Sequence, residues 1–188
     1  MTEVVSLSNN KSAAVHLSVP SLQLPDMTSA AETMLSKALD YCAQKVNVGD
    51  YETIVKRLES GDSLTSGFFQ YSLANQLAEY LGVLDEDIRA VYLYDYDATP
   101  EDMAFAQLRQ ASLIRLIVWT RRKTNALQAL IAAASRALSD KYAGLVGTDE
   151  RKHVLDVQVI DDSDVNQRIG YGGLLSSVQY QPIRLWQR

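Results

Sequence analysis

Hydrophobic positions along this chain repeat first with a helical period and then, past residue 85, with a strand period. Met27, Ala31, Met34, Leu35, Ala38, Leu39 and Cys42 recur at i, i+3 and i+4 spacing, which predicts a helix over 26–48 with one apolar stripe to bury. Ser29 followed by Glu32 has capping-box spacing near its start, and Gly49 is placed to end it. A second helix is expected over 51–59, with Tyr51, Ile54, Val55 and Leu58 on one face and Gly61 beyond it. A third is expected over 64–81, capped by Asp62 or Ser63, striped by Phe69, Leu73, Leu77, Tyr80 and Leu81, and closed by Gly82. Three consecutive amphipathic helices on short links predict a helical layer.

From Ile88 to Tyr96 the pattern alternates and fills with β-formers, which predicts a strand. Thr99-Pro100-Glu101-Asp102 can open a short helix continuing to Ala111, with Pro100 at its first position. Residues 113–120 are apolar almost without interruption (Leu113, Ile114, Leu116, Ile117, Val118, Trp119), the pattern of a central strand covered on both faces. Thr124–Tyr142 is the clearest helix, striped by Leu127, Leu130, Ile131, Ala134, Leu138 and Tyr142. Residues 153–160 alternate Leu155, Val157 and Val159 against Asp156 and Gln158, a strand with one covered face. Residues 165–177, with Gly170, Gly172 and Gly173, are expected to form a loop. Residues 178–186 are expected to form a last strand, with Pro182 marking a border position.

The sum is an α+β fold, or a small three-layer α/β unit: about three N-terminal helices, then a mixed sheet of about four strands with one long crossover helix. Residues 1–25, rich in Ser and Asn and broken by Pro20 and Pro25, read as a tail, 26–84 as the helical layer and 85–188 as the sheet-containing core, the last two forming one cooperative domain. The stretch between Trp119 and Val154 is long enough for a crossover. If the strands it joins are neighbours in one sheet, they must run parallel.

Composition narrows the class. At 188 residues, 47% hydrophobic and 22% charged, the chain can bury a core without covalent staples. Cys42 is its one cysteine, which excludes an intramolecular disulfide and a multi-thiolate zinc site. It sits on an apolar stripe and reads as an inert buried thiol. His16 and His153 are too few for a histidine-rich metal centre. No apolar run reaches the ~20 residues of a membrane helix, and the polar N-terminus lacks a signal-peptide pattern, so a soluble cytoplasmic protein is expected.

The net charge of −5 is unevenly placed. Residues 63–110 carry eight acids and two bases, whereas residues 111–188 carry seven acids and eleven bases. Either these blocks face each other, or the basic block meets an anion. The acidic total argues against nucleic acid as a partner.

Three clusters are candidates for chemistry. Arg121, Arg122, Lys123, Thr124 and Asn125 lie between the strongest strand and the strongest helix, where cations and free helix N–H groups favour a phosphate-bearing ligand. The plainer reading is a solvated turn, and the segment lacks the glycines of a phosphate-cradling loop. Asp161, Asp162 and Asp164 follow a strand and have the oxygen chemistry of a Mg²⁺ or Ca²⁺ site; a turn braced by its own carboxylates is the plainer reading. In a parallel arrangement both clusters meet at the carboxyl ends of their strands, where open α/β sheets place ligands. Tyr92, Tyr94 and Tyr96 share one strand face and suit a protein interface, or a sheet face half-covered by the N-terminal helices. The sequence carries no nucleophile elbow, Cys–His motif or His-Glu-x-x-His helix, and points to no cofactor. The expected function is therefore non-enzymatic self-association, as a homo-oligomer, or binding of a protein partner. The alternative is binding of a small phosphate-bearing ligand, with or without catalysis.

Overall fold

A computed structural model describes residues 26–94, 114–147, 153–178 and 181–188. The tail, the helix expected over 100–111 and Tyr96 lie outside these residues. The described chain is α+β, with six helices and a four-stranded mixed sheet. Its order is α1 (Met27–Val46), α2 (Tyr51–Glu59), α3 (Ser63–Leu84), β1 (Ile88–Leu93), β2 (Ile114–Thr120), α4 (Asn125–Leu145), β3 (Leu155–Asp161), α5 (Asp162–Gln167), α6 (Tyr171–Leu174) and β4 (Ile183–Gln187).

Side chains that satisfy otherwise unpaired helix N–H groups set the helix starts. Asp26, not Ser29, caps α1, accepting from the N–H groups of Thr28 and Ser29. Asp50 caps α2, Asp62 caps α3 and Thr124 caps α4. At the other end, α1 stops at Val46, three residues before Gly49, because Asn47 adopts the left-handed conformation there with φ 53°. Helix α3 runs through Gly82 to Leu84. Gly82 is there for close approach and not as a stop: a Cβ at this position would lie 2.4 Å from the Trp186 ring that β4 lays across α3.

The strand order is β3-β2-β1-β4. Strand β1 runs antiparallel to β2 and β4, and β2 runs parallel to β3 in unbroken register from Ile114–Leu155 to Thr120–Asp161. Helix α4 is the crossover between the parallel pair. The double-faced apolar run of β2 is now explained. Ile114, Leu116 and Val118 enter a core shared with α1, α3 and α4, while Ile117 and Trp119 enter a smaller cluster on the opposite face. The main core takes residues from α1 to α4 and from β1 to β3, so helical layer and sheet have one interior.

The opposite face corrects the reading of 165–177 as a loop. Instead, α5 and α6 fold back under the sheet and press Val165, Tyr171, Leu174 and Leu175 against Ile117, Ile160 and Tyr94. Gly172 permits this, since a Cβ there would lie 2.4 Å from the carbonyl oxygen of Asp164. The last strand starts at Ile183, five residues later than expected; Val178 is a fully exposed bend.

Candidate functional site

The parallel register places Thr120 beside Asp161, so the loops leaving β2 and β3 start side by side. The buried hydroxyl of Thr120 donates toward the carbonyls of Asp87 and Arg122, and the Arg121 N–H donates to Asp87 at 2.9 Å. The end of β2 is thereby tied to the turn between α3 and β1. Thr124 leaves the loop in an extended conformation and accepts from the Leu127 N–H at 3.1 Å, which starts α4 with Asn125 as its first residue.

On the β3 side, the Asp161 carboxylate accepts from the N–H groups of Ser163 and Asp164, and Asp164 accepts from the Asp161 N–H at 3.0 Å. This reciprocal capping box starts α5. Lys123 bridges the loops, with Nζ 2.5 Å from Asp164 and 4.0 Å from Asp161. The Lys123 ammonium, with help from the Asp161 N–H, holds the Asp164 carboxyl below the usual carboxylate range.

Asp162 faces the sheet. It accepts from Trp119 Nε1 at 2.9 Å and pairs with Arg89 at 2.7 Å, while the Arg89 guanidinium lies 5.8 Å from the Trp119 ring centroid. Asp87 takes Arg122 at 3.4 Å and Arg121 at 3.9 Å. The cations Arg89, Arg121, Arg122 and Lys123 thus face the carboxylates Asp87, Asp161, Asp162 and Asp164, and the cluster carries no net charge. Pairs this exposed are worth about 0–1 kcal/mol each. Their effect is positional: the pairs of Arg89 and Lys123 hold α5 against the sheet, and those of Asp87 hold the end of β2 to the turn before β1.

The structure brings both predicted charged clusters to one sheet end and turns them on each other. Among the described residues, no group of three or more His, Cys, Asp and Glu side chains is placed to hold a metal ion. The acidic and basic blocks also meet where Arg188 donates to the carbonyl of Gly82 at 2.6 Å.

These pairs set a pH response. Asp164 titrates lower folded than unfolded, so Lys123 and the Asp161 N–H add stability above the ordinary carboxylate range. That stability is lost as pH falls through the depressed folded value. A Lys123→Met variant should raise the Asp164 midpoint, read from its carboxyl ¹³C shift. An unmoved midpoint would assign the depression to the Asp161 N–H alone.

The tyrosines divide. Tyr94 is buried, with its ring 5.5 Å from Tyr171 of α6, and burial first, then the bond to Tyr171, pushes its hydroxyl far up from the ordinary tyrosine value. Tyr92 is half-buried on the same face. This corrects the expectation of N-terminal helices over the tyrosines: the C-terminal segment covers the face of Tyr92 and Tyr94, and the N-terminal helices lie on the other. Cys42 is buried, its thiol pushed up to about 11 by desolvation. Two clefts, of about 590 and 550 Å³, lie on the helical layer, one between α1 and α3 and the other beside α2; residues 121–125 and 161–164 line neither.

Sequence reasoning missed Asp87, Arg89 and Trp119 as partners of the cluster, and it missed the position of β3. Among the described residues, β3 borders the sheet on one side and β4 on the other. The Ile114 N–H donates to the Val154 carbonyl, and Ile114 sits opposite Leu155. In a parallel ladder this turns the peptide groups of Val154, Asp156, Gln158 and Ile160 toward β2. Those of Leu155, Val157 and Val159 therefore point away from the sheet. The direction of the Asp161 N–H, which bonds Asp164 and not β2, agrees. Strand β4 is blunted by Pro182 at its start, a register shift against β1 and the charges of Arg184 and Arg188. Strand β3 carries no proline and its register with β2 has no shift; its charges are the carboxylates Asp156 and Asp161, the second held in the α5 cap.

No protein-family model, curated protein or solved structure matches this chain.

Proposed function

We propose that this protein is a non-enzymatic, self-associating or partner-binding protein that docks an extended strand along the outer border of β3. The observation that carries this reading is the contrast between the two sheet borders. Strand β4 has the devices that discourage pairing, whereas β3 offers Leu155, Val157 and Val159 with outward peptide groups in a regular strand. Strand addition uses such a border: main-chain bonds supply affinity and alternate side chains supply selectivity. The cationic loop supports a phosphate-binding function less well, because an anion would have to displace Asp87 and Asp164 from Arg121, Arg122 and Lys123.

The test uses a proline at a position whose N–H points outward. Val157→Pro removes no bond to β2 but takes away a donor at the border. A labelled peptide with the sequence of residues 155–161 should bind the wild-type chain, read by fluorescence anisotropy. Val157→Pro should weaken that binding by roughly tenfold or more, the loss of about 1.4 kcal/mol. Equal binding by both proteins, or binding by neither when the wild type is a monomer, would refute strand addition at β3; a dimeric wild type already carries a strand on that border and is tested by its register, below.

A further inference from the structure

We infer that the strand added to β3 is β3 of a second copy, running antiparallel about a two-fold axis at Gln158; this rests on the strand-addition reading. A partner strand must be extended for about seven residues and must turn peptide groups outward at alternate positions. Strand β3 meets both conditions itself, and the parity of its peptide groups fixes how two copies can meet.

With full overlap, Val157 stands opposite Val159 of the second copy, Leu155 opposite Asp161, Asp156 opposite Ile160 and Gln158 opposite itself. Every outward residue then faces an outward residue. Val157 and Val159 exchange N–H and carbonyl bonds in both directions. That makes four bonds about the axis; the Asp161 carbonyl opposite Leu155 is already the first acceptor of α5, so the regular ladder stops at the Val157–Val159 pairs. The Asp161 N–H, already given to Asp164, closes the ladder at its ends.

The side chains agree with this register. Val157 pairs with Val159, a favourable β-branched contact, and both already pack on the helix-covered core. The Gln158 carboxamides meet at the axis; each Nε2 already donates to Asp156 at 3.0 Å, which leaves its second N–H and its carbonyl oxygen for the opposite carboxamide. Asp156 faces Ile160 and Asp161 faces Leu155, so no carboxylate opposes a carboxylate. Recentring the overlap on Asp156 would set that charge against itself. The two sheets join into one of double width, with each copy's helical layer on the same side. The interface is isologous, so assembly closes at the dimer.

The experiment uses the full chain. Gln158 lies in a pair with inward peptide groups, where antiparallel Cα atoms approach to about 4.5 Å, within disulfide range. Gln158→Cys should therefore cross-link to a covalent dimer under mild oxidation, at least about tenfold faster than Val157→Cys, which faces position 159 and not itself. Wild-type chain should not cross-link, because Cys42 is buried. Light scattering on the wild type, which contains no introduced thiol, should give twice 20.9 kDa, and Val157→Pro should give the monomer.

A monomeric wild type that still binds the 155–161 peptide would overturn the second copy and leave strand addition standing. A monomer that binds no peptide would remove both. A dimer that links through position 157 faster than 158, or through neither, would overturn the proposed register.

Discussion

Replacing Phe69 with alanine should cost about 3–5 kcal/mol of folding stability, the largest loss expected from a single truncation in this chain. Phe69 has no exposed surface and belongs to the main core. Its ring lies 5.8 Å from that of Tyr142, so it joins α3 to the crossover helix α4. Truncation removes the transfer free energy of the ring and leaves a cavity in a close-packed core that can relax only in part. Total stabilities are typically 5–15 kcal/mol, so the variant would retain only part of its stability, with a melting temperature lower by roughly 6–20 °C. Leu64, on the same helix, is 59% exposed, and Leu64→Ala should change stability by about 0.5 kcal/mol or less. Urea unfolding of the two variants checks the pair. Equal losses would mean that α3 does not bury the face assigned to it.

The second large effect is expected at Gly172→Ala, with the opposite sign to the one helix propensity predicts. Alanine in a helix is favoured over glycine by up to about 1 kcal/mol. Here the added methyl would lie 2.4 Å from the Asp164 carbonyl oxygen, 2.5 Å from its carbon and 2.9 Å from the Val165 nitrogen. All three are backbone atoms within or beside a capping box, and no side-chain rotation moves them aside. Helix α6 must therefore move away from α5, taking Tyr171 from Tyr94 and loosening the cover over Ile117 and Ile160. A net loss of about 1–3 kcal/mol is expected. Because Trp119 lies in the same cluster and donates to Asp162, its fluorescence should report the change. Unchanged or higher stability in urea would show that the two short helices do not touch as described.

Both predictions concern contacts that differ in how far they can be read along the chain. The stripe containing Phe69, Leu73, Leu77 and Leu81 is a local property, because a period of 3.6 leaves one face that must leave water. The stripe of α4 and the two-faced run of β2 are legible for the same reason. Together they led to the parallel β2–β3 pair, since a strand, a long helix and another strand have few ways to pack. The meeting of Lys123 with Asp161 and Asp164 followed from that topology.

Other features were not legible. Ser29 and Glu32 have capping-box spacing, yet Asp26 caps α1, because several residues near a helix start can accept the same N–H groups and the backbone path selects among them. The glycines at 170–173 suggested a loop, but composition reports conformational freedom and not what presses against it. Gly82 suggested a helix end, yet it makes room for Trp186, which lies 104 positions further along the chain. Tyr94 suggested a surface, and Tyr171 covers it.

The sequence by itself determined the order of α1, α2, α3, β1, β2, α4 and β3, the stripes their helices bury and the absence of disulfide staples, since hydrophobic period and cysteine number act over a few residues or over the whole composition. Only the tertiary structure decided which strands border the sheet, which carboxylate meets which cation and which peptide groups face outward. Those depend on pairs distant in sequence, such as Arg89 and Asp162, 73 positions apart, whose meeting is set by the packing of everything between them.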